Sequence, residues 1–469
     1  MLSWMLALFL AQDGSAQAGS AQAVFVQNGL AQNPPEPQEI MRPQTVQPLP
    51  ASLDTVPVFN SNSPELIGTA GILLSTFSPD GKTVPEAHLD YPLADRFDIF
   101  AHHVYKAEDP ENLTSMYLGI LVHNPGGATV DLEVLAGASY LSQPDAPFIS
   151  LPDVVPFGLR MPVFAGPGSR VMGDLLQDRR QDLFSPSLTI PAGETVVLMN
   201  QPIPVATLEP PINGRSTLVR LRSSGPVSVA SLAQPAGLDD EGSEVAPTLE
   251  QWQTLLDTGN LATPRDKPPT PIEAVPTQVI YGRVAGVSEG ARWVATVTDD
   301  AEATQLTIPA PGEAVSYGIS TLYAGQLGTG QVQTAPMLVR YPDTAYQAHG
   351  NYGVEYDLTF PLVNSTDEPQ TVTVTFETPI KEDTLSTDGL RFFEPLPTQT
   401  FFRGPIQIRY RDDGGLPRIR NLHLVQKRGQ QGAPLAEITL QPQEERTVSV
   451  KLLYPPDSTP PQVITIMTQ

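Results

Sequence analysis

Cysteine is absent from all 469 residues. Its absence excludes disulfides, thiol nucleophiles, iron–sulfur clusters, cysteine-based zinc sites and a lipoprotein anchor. Positive charge is scarce: 27 Lys+Arg face 51 Asp+Glu, a net charge of −24. Nucleic-acid binding rests on clustered cations that neutralise phosphates, so this balance argues against such a partner. Long helical patterns are missing too, because 50 prolines and 36 glycines interrupt the chain too often. Gly-x-Ser-x-Gly, His-Glu-x-x-His and P-loop motifs do not occur, and no catalytic signature is legible. What remains is 40% apolar and 17% charged, a globular composition long enough for two or three domains.

The N-terminus reads as an address. Leu2 to Ala11 is an apolar run the length of a signal-peptide core and too short to span a bilayer. Small-x-small sites follow at Ala16-Gln17-Ala18 and Ala21-Gln22-Ala23, placing cleavage after Ala18 or Ala23. Residues 1–23 are therefore expected to be a signal peptide. No later stretch reaches the roughly eighteen apolar residues of a transmembrane helix. The expected mature protein is exported to the periplasm or cell envelope, with no membrane segment.

Residues 24–50 are Gln/Pro-rich and predict an extended linker. Strand patterns dominate from there on. Val130, Leu132 and Val134 alternate with Thr129, Asp131 and Glu133, and Val372, Val374 and Phe376 alternate with threonines. Such period-two runs predict half-buried strands with one wet face. Thr217–Arg222 and Val227–Leu232, separated by Ser223-Ser224-Gly225-Pro226, predict a hairpin. The main helical signal is Thr248–Thr258, with a Thr248/Gln251 capping box, an apolar face of Leu249, Trp252, Leu255 and Leu256, and Gly259 as the stop. It lies in a connector, 237–275, between a β domain at 51–236 and another at 276–469. The expected fold is all-β: two related, mainly antiparallel β-sandwich-like lobes with a short helix between them.

An internal repeat supports that division. Leu118-x-Ile120-x-Val122-x-Asn124 is matched by Leu358-x-Phe360-x-Leu362-x-Asn364, each followed by an alternating strand. Phe164-x-Gly166-Pro167 recurs as Phe402-x-Gly404-Pro405, and Ile190-Pro191 is echoed by Leu440-Gln441-Pro442. An asparagine that satisfies local backbone groups can end an apolar strand and return the chain antiparallel. Three matches in one order point to duplicated modules.

Several runs carry a resemblance: Leu53-Asp54-Thr55-Val56-Pro57-Val58-Phe59-Asn60-Ser61-Asn62-Ser63-Pro64, Phe100-Ala101-His102-His103, Ser139-Tyr140-Leu141-Ser142-Gln143-Pro144-Asp145-Ala146-Pro147, and Ala348-His349-Gly350-Asn351-Tyr352-Gly353. They resemble motifs of a family of exported cyanobacterial proteins classed only as a domain of unknown function, across nearly the whole mature chain. The resemblance implies export and a cyanobacterial envelope, and supplies no catalytic residues.

Four groups could carry chemistry. His88, His102, His103, Asp90 and Asp98 could supply a metal site. On a strand, however, His102 and His103 face opposite ways, and Asp98 lies about 13 Å from His102. Hydrogen-bonded histidines are the favoured reading, and no metal or cofactor is expected. Asp239, Asp240, Glu241 and Glu244 read as a solvated connector before a weak Ca²⁺ site, since they lack EF-hand spacing. The acidic pairs of a glycosidase are defined in space and cannot be picked out. The charge reversal at Arg403–Arg428 is the sharpest feature: seven bases against two acids in an acidic chain. Gln407, Arg409 and Arg411 share one strand face, Asp412-Asp413-Gly414-Gly415 is a turn, and Arg418 and Arg420 would return beside them. Together these form a candidate ledge for an anionic glycan or phosphate. Pairing with acids elsewhere in the chain is the structural alternative. The expected function is a non-enzymatic structural or binding role in the cell envelope, contacting anionic glycan or envelope proteins. An envelope glycan-processing hydrolase is the alternative.

Overall fold

The computed structural model describes residues 35–158, 164–271, 274, 279–385 and 388–469. The apolar run Leu2–Ala11 and both cleavage sites lie outside them. Strands dominate, as the alternation predicts, and the fold is all-β. Along Val130–Leu141 the residues Val130, Leu132 and Val134 are buried while Asp131 and Glu133 are exposed. The α-helices among the described residues are Pro167–Leu175 and Leu249–Thr258. No helix there is long and apolar enough to cross a membrane.

The strands make two sheet pairs. In the first, Ser187–Ile190, Val130–Leu141, Ile212–Pro235, Leu93–Lys106, Pro57–Ser61, Ala285–Glu289 and Ala335–Arg340 lie side by side. Thr195–Ile203, Met116–His123 and Gly71–Ser75 join the far half of Ile212–Pro235 to form the facing layer. Phe59, Phe97, Ile120, Leu132, Val219 and Val229 belong to the apolar core of this pair. In the second pair, Arg292–Thr296, Glu355–Val363, Glu445–Leu453, Thr400–Arg411, Pro417–Lys427 and Val154–Pro156 form one sheet. Thr45–Gln47, Ala314–Ile319, Gln462–Thr468, Gln370–Glu377 and Pro434–Leu440 form the other. Tyr356, Phe360, Phe376, Phe402 and Ile464 belong to their shared core. Most pairings are antiparallel; Pro57–Ser61 with Leu93–Lys106 and Arg292–Thr296 with Glu355–Val363 are parallel.

Both asparagines of the repeat do the same job. Asn124 Nδ2 donates to the carbonyls of Ala128 and Ile190, and its Oδ1 accepts the Gly126 N–H. Asn364 Nδ2 donates to Glu368 and Leu440, and its Oδ1 accepts the Thr366 N–H. The Asn124 N–H reaches the Glu194 carbonyl, and the Asn364 N–H that of Glu444. Each asparagine thus clamps the crossing from one layer to the other onto a second crossing that lies 66 residues on in one case and 76 in the other. The Phe-x-Gly-Pro match is different. Gly166-Pro167 opens a helix with the glycine at φ +94, whereas Gly404-Pro405 lies inside strand Thr400–Arg411. The two copies are neighbours in space, with Ser169 Oγ donating to the Arg403 carbonyl at 2.8 Å.

Three further expectations need correction. The hairpin at Ser223–Pro226 does not form: Ile212–Pro235 is one strand of 24 residues. Its first half pairs with Leu93–Lys106 and Val130–Leu141, and its second half pairs with Met116–His123. The register slips between Ser223 and Val227, so the Gly-Pro step makes a bulge that passes the strand between layers instead of reversing it. The expected linker ends in strands Gln38–Pro43 and Thr45–Gln47, which pair with Gly389–Glu394 and Ala314–Ile319. Arg42 pairs with Glu377, and Gln44 Nε2 donates to Ser316 Oγ. Thr373 and Thr375 are buried, so Gln370–Glu377 lacks the expected wet face. Gly259 ends its helix as expected, at φ −79 and so outside the left-handed region. Glycine fits there because a Cβ would lie 2.5 Å from the Leu255 carbonyl. The Thr248/Gln251 capping box forms as expected, and Trp252 is buried against Gly119.

Candidate functional site

The sheet pairs meet along a seam, and most of the quoted motifs converge there. On the first sheet, Phe100 and Leu218 point outward and pack with Leu453 of the second. Tyr352 stacks on Tyr454 and lies tilted against Phe100, with ring centroids 6.3 and 6.4 Å away. His103 is held by Ser61 Oγ at 2.9 Å and the Pro64 carbonyl at 2.8 Å. His102, on the opposite face as the strand parity requires, bonds Ser216 Oγ at 2.7 Å. His349 Nε2 bonds the Gly282 carbonyl, and Asn351 ties Ala335 N–H to Tyr356 Oη. Burial lowers the histidines: His102 and His349 to about 4, His103 to about 3.

A void of about 10 Å³ remains beside His349, with room for about one water. Asn60 and Asn62 line it with buried carbonyl oxygens that lack partners. Arg283, also on its wall, is bonded to Glu65 and Asp266. Burial raises both carboxyls above their ordinary range against the pull of Arg283. The seam closes on a buried ion cluster in which Glu355 receives Arg220 at 2.7 Å, Arg292 at 2.8 Å and Lys451 at 3.2 Å. Burial pushes the Glu355 carboxyl up, but the three cations outweigh it and hold it below the usual value.

The metal candidates do not assemble. His88 lies apart, bonded to Ser75 Oγ, Asp98 pairs with Arg96, and no three His, Asp or Glu side chains converge among the described residues. In the acidic connector, Asp239 Oδ1 accepts the N–H groups of Glu241 and Ser243, a local turn. Glu244 accepts the Ser115 N–H.

The arginine run divides. Register pairs Arg409 with Ile419 and Arg411 with Pro417, whereas Arg418 pairs with Tyr410 and Arg420 with Ile408. Directly paired residues share a face, so Arg409 and Arg411 stand on one side of the hairpin and Arg418 and Arg420 on the other. The four-arginine ledge is thereby corrected to two. Arg418 pairs with Asp412 at 2.5 Å, and Arg420 donates to the Leu435 carbonyl. Arg409 donates to Gln407 Oε1 and Arg411 to the Gly415 carbonyl, and neither meets a carboxylate among the described residues. Their face is an open sheet: Thr296, Thr359, Ser449, Arg409 and Ile419 stand in register across five strands.

A cleft of about 250 Å³ opens where helix Pro167–Leu175 meets the first sheet. Tyr140, Phe157, Arg170, Asp174, Arg179 and Arg180 are among the residues that line it. Sequence reasoning missed it, because Gly166-Pro167-Gly168 looks like a turn and the helix has no side-chain cap. Its signals were proline at the first helical position and the buried quartet Val171, Met172, Leu175 and Leu176.

Comparisons with known proteins show little beyond the family. No curated protein matches the chain. Three solved structures give faint likenesses. Lac15 from a marine microbial metagenome is 11% identical, with a TM-score of 0.09, covering 78% of this chain and 51% of that one. The coconut allergen cocosin is 9% identical at a TM-score of 0.10, covering 86% and 85%. Procruciferin, an 11S globulin from Brassica napus, is 9% identical at 0.10, covering 86% of each chain. The present chain therefore spans about half the length of Lac15, and scores this low carry no argument. A family model does match, from residue 44 to residue 468. The chain thus belongs to DUF3370, a family described as proteins of unknown function.

Proposed function

We propose that the protein is an exported, non-enzymatic component of a cyanobacterial cell envelope that binds anionic glycan on the sheet face bearing Arg409 and Arg411. One observation carries this reading. In a chain of net charge −24, Arg409 and Arg411 are exposed without carboxylate partners among the described residues, and Arg409 stands in register with Ser449, Thr359 and Thr296. Guanidinium forks match carboxylate, sulfate and phosphate groups, and the hydroxyls suit sugar. Export is supported by the Leu2–Ala11 run and its small-x-small sites.

The hydrolase alternative needs two carboxylates about 5–10 Å apart in an open cleft. Among the described residues that line it, the 250 Å³ cleft has one, Asp174. Glu65 and Asp266 are locked onto Arg283 beside a void of one-water size. The geometry therefore favours binding.

The test is retention of the mature protein on immobilised polygalacturonate. Binding should weaken as salt rises from about 50 to about 200 mM, because the Debye length shortens through about 10 Å over that range. It should fall at least about fivefold in Arg409→Ala/Arg411→Ala. Undiminished retention in the double variant overturns the proposal.

A further inference from the structure

We infer that the cleft beneath helix Pro167–Leu175 is a second binding site, built for one sugar-sized ring that carries a carboxylate or phosphate. The inference rests on the glycan reading above and deepens it by naming the unit that is recognised. Small-ligand sites are concave, largely apolar, and carry a few convergent polar groups, and this cleft has that make-up. Three guanidiniums, Arg170, Arg179 and Arg180, share its wall with the single carboxylate of Asp174. It is a local positive centre in an acidic chain.

The donors are only partly used. A guanidinium has five N–H groups. Arg170 donates to the Asp145 carbonyl and Arg180 to the Phe184 carbonyl. Arg179 donates to Asp174 Oδ1 at 3.2 Å and to Gln177 Oε1 at 2.6 Å. Among the described residues the remaining donors have no partner, and they can grip an anion.

Their positions are fixed in advance. The Arg170 guanidinium lies over the Tyr140 ring, 4.0 Å from its centroid, and Tyr140 Oη donates to Asp174 Oδ2 at 2.6 Å. Burial and the Asp174 carboxylate push the Tyr140 hydroxyl up to about 12, so it stays protonated and holds Asp174 in place. Asp174 can accept from ring hydroxyls, while Phe157, packed on Phe164 with centroids 5.2 Å apart, offers an apolar wall to the C–H face of a sugar.

The cleft also communicates with the ledge. The Phe157 N–H bonds the Asn421 carbonyl at 3.0 Å, Gln407 Nε2 donates to Asn421 Oδ1 at 2.8 Å, and Arg409 Nε donates to Gln407 Oε1 at 2.6 Å. Two strand spacings and two residues separate Phe157 from Arg409, roughly 12 Å. One polymer can therefore seat an anionic unit in the cleft while its neighbours run over Arg409 and Arg411.

Calorimetric titration of the full chain tests this with glucuronate, glucose 6-phosphate, glucose and inorganic phosphate. Glucuronate and glucose 6-phosphate should bind at least about tenfold tighter than glucose or inorganic phosphate. Arg179→Gln/Arg180→Gln should weaken them by about tenfold. Arg180→Gln alone, at an exposed side chain, should show a smaller loss in the same direction and covers the case in which the double variant does not fold. Arg409→Ala/Arg411→Ala should leave these small ligands unaffected while lowering retention on polygalacturonate. Glucose binding as well as glucuronate, inorganic phosphate matching glucose 6-phosphate, no binding of either anionic sugar, or indifference of their binding to Arg180→Gln would each overturn the cleft. A failed cleft with an intact Arg409/Arg411 effect leaves the ledge standing, and the reverse result leaves only the cleft.

Discussion

Arg220 and Arg292 at the seam and Arg409 and Arg411 on the open sheet face are the same residue type in opposite circumstances. The seam pair converges on Glu355, which is fully buried, and its charge is answered on the spot. The ledge pair is exposed and bonded only to neutral oxygens. A buried guanidinium must find acceptors, because an uncompensated interior charge costs several kcal/mol: Arg220 finds Glu355, and buried Arg215 finds Ser139 Oγ and the Pro202 carbonyl. An exposed one is left to water or to a ligand. Exposure without a carboxylate partner among the described residues is what separates Arg409 and Arg411 from Arg220.

The contrast can be broken at its strong end first. Glu355→Ala leaves three cations without their acceptor and should destabilise the fold by about 3–5 kcal/mol, read by chemical denaturation. A loss below about 1 kcal/mol would mean the seam cluster does not hold the sheet pairs together. Asp457 offers a smaller effect of opposite sign. It accepts the Ser169 N–H at the start of helix Pro167–Leu175, and burial raises its carboxyl to about 6 despite nearby Arg403. A carboxyl raised in the folded state contributes stability that is complete below its ordinary value of 3.8 and is lost as pH rises through about 6. Asp457→Asn should therefore be more stable than the parent at pH 8, by up to about 3 kcal/mol, and equal to it near pH 4. Thermal midpoints across that range decide the matter; a gap that does not change with pH would refute the assignment.

Asn124→Ala and Asn364→Ala sharpen the comparison between the sheet pairs. Each removes a matched set of buried hydrogen bonds and should cost about 1–3 kcal/mol. Values that differ by more than about 2 kcal/mol would show that equivalent geometry is not equivalent energy. Smallest of all, Arg409→Ala/Arg411→Ala should shift stability by less than about 0.5 kcal/mol while lowering glycan retention at least about fivefold.

What was legible in the sequence was local and periodic. The parity of Gln407, Arg409 and Arg411 against Ile406 and Ile408 held, because a strand leaves no choice of face. Leu422 and Leu424 already signalled that Arg418 and Arg420 belong to the core side, since all four share parity. The asparagine turns were readable because their partners are the backbone groups that any such crossing exposes. Non-local facts were hidden. Nothing near Gln38–Pro43 reveals a partner strand at Gly389–Glu394. Ser223–Pro226 carries turn chemistry, and only pairing with strands far away makes it a bulge. Arg170, Arg179 and Arg180 converge because a helix docks on Val130–Leu141; the quartet Val171, Met172, Leu175 and Leu176 marks the helix, but nothing local names the sheet it docks on.

The sheet containing Ala314–Ile319 takes one neighbour, Thr45–Gln47, from near the start of the chain and the other, Gln462–Thr468, from near its end. A nascent polypeptide therefore carries Thr45–Gln47 unpaired while some 270 residues are added. Loop closure over such spans is slow, and unpaired edges invite wrong partners. Gln462–Thr468 lies between Ala314–Ile319 and Gln370–Glu377, so that layer stays split in two until this strand has been made and inserted.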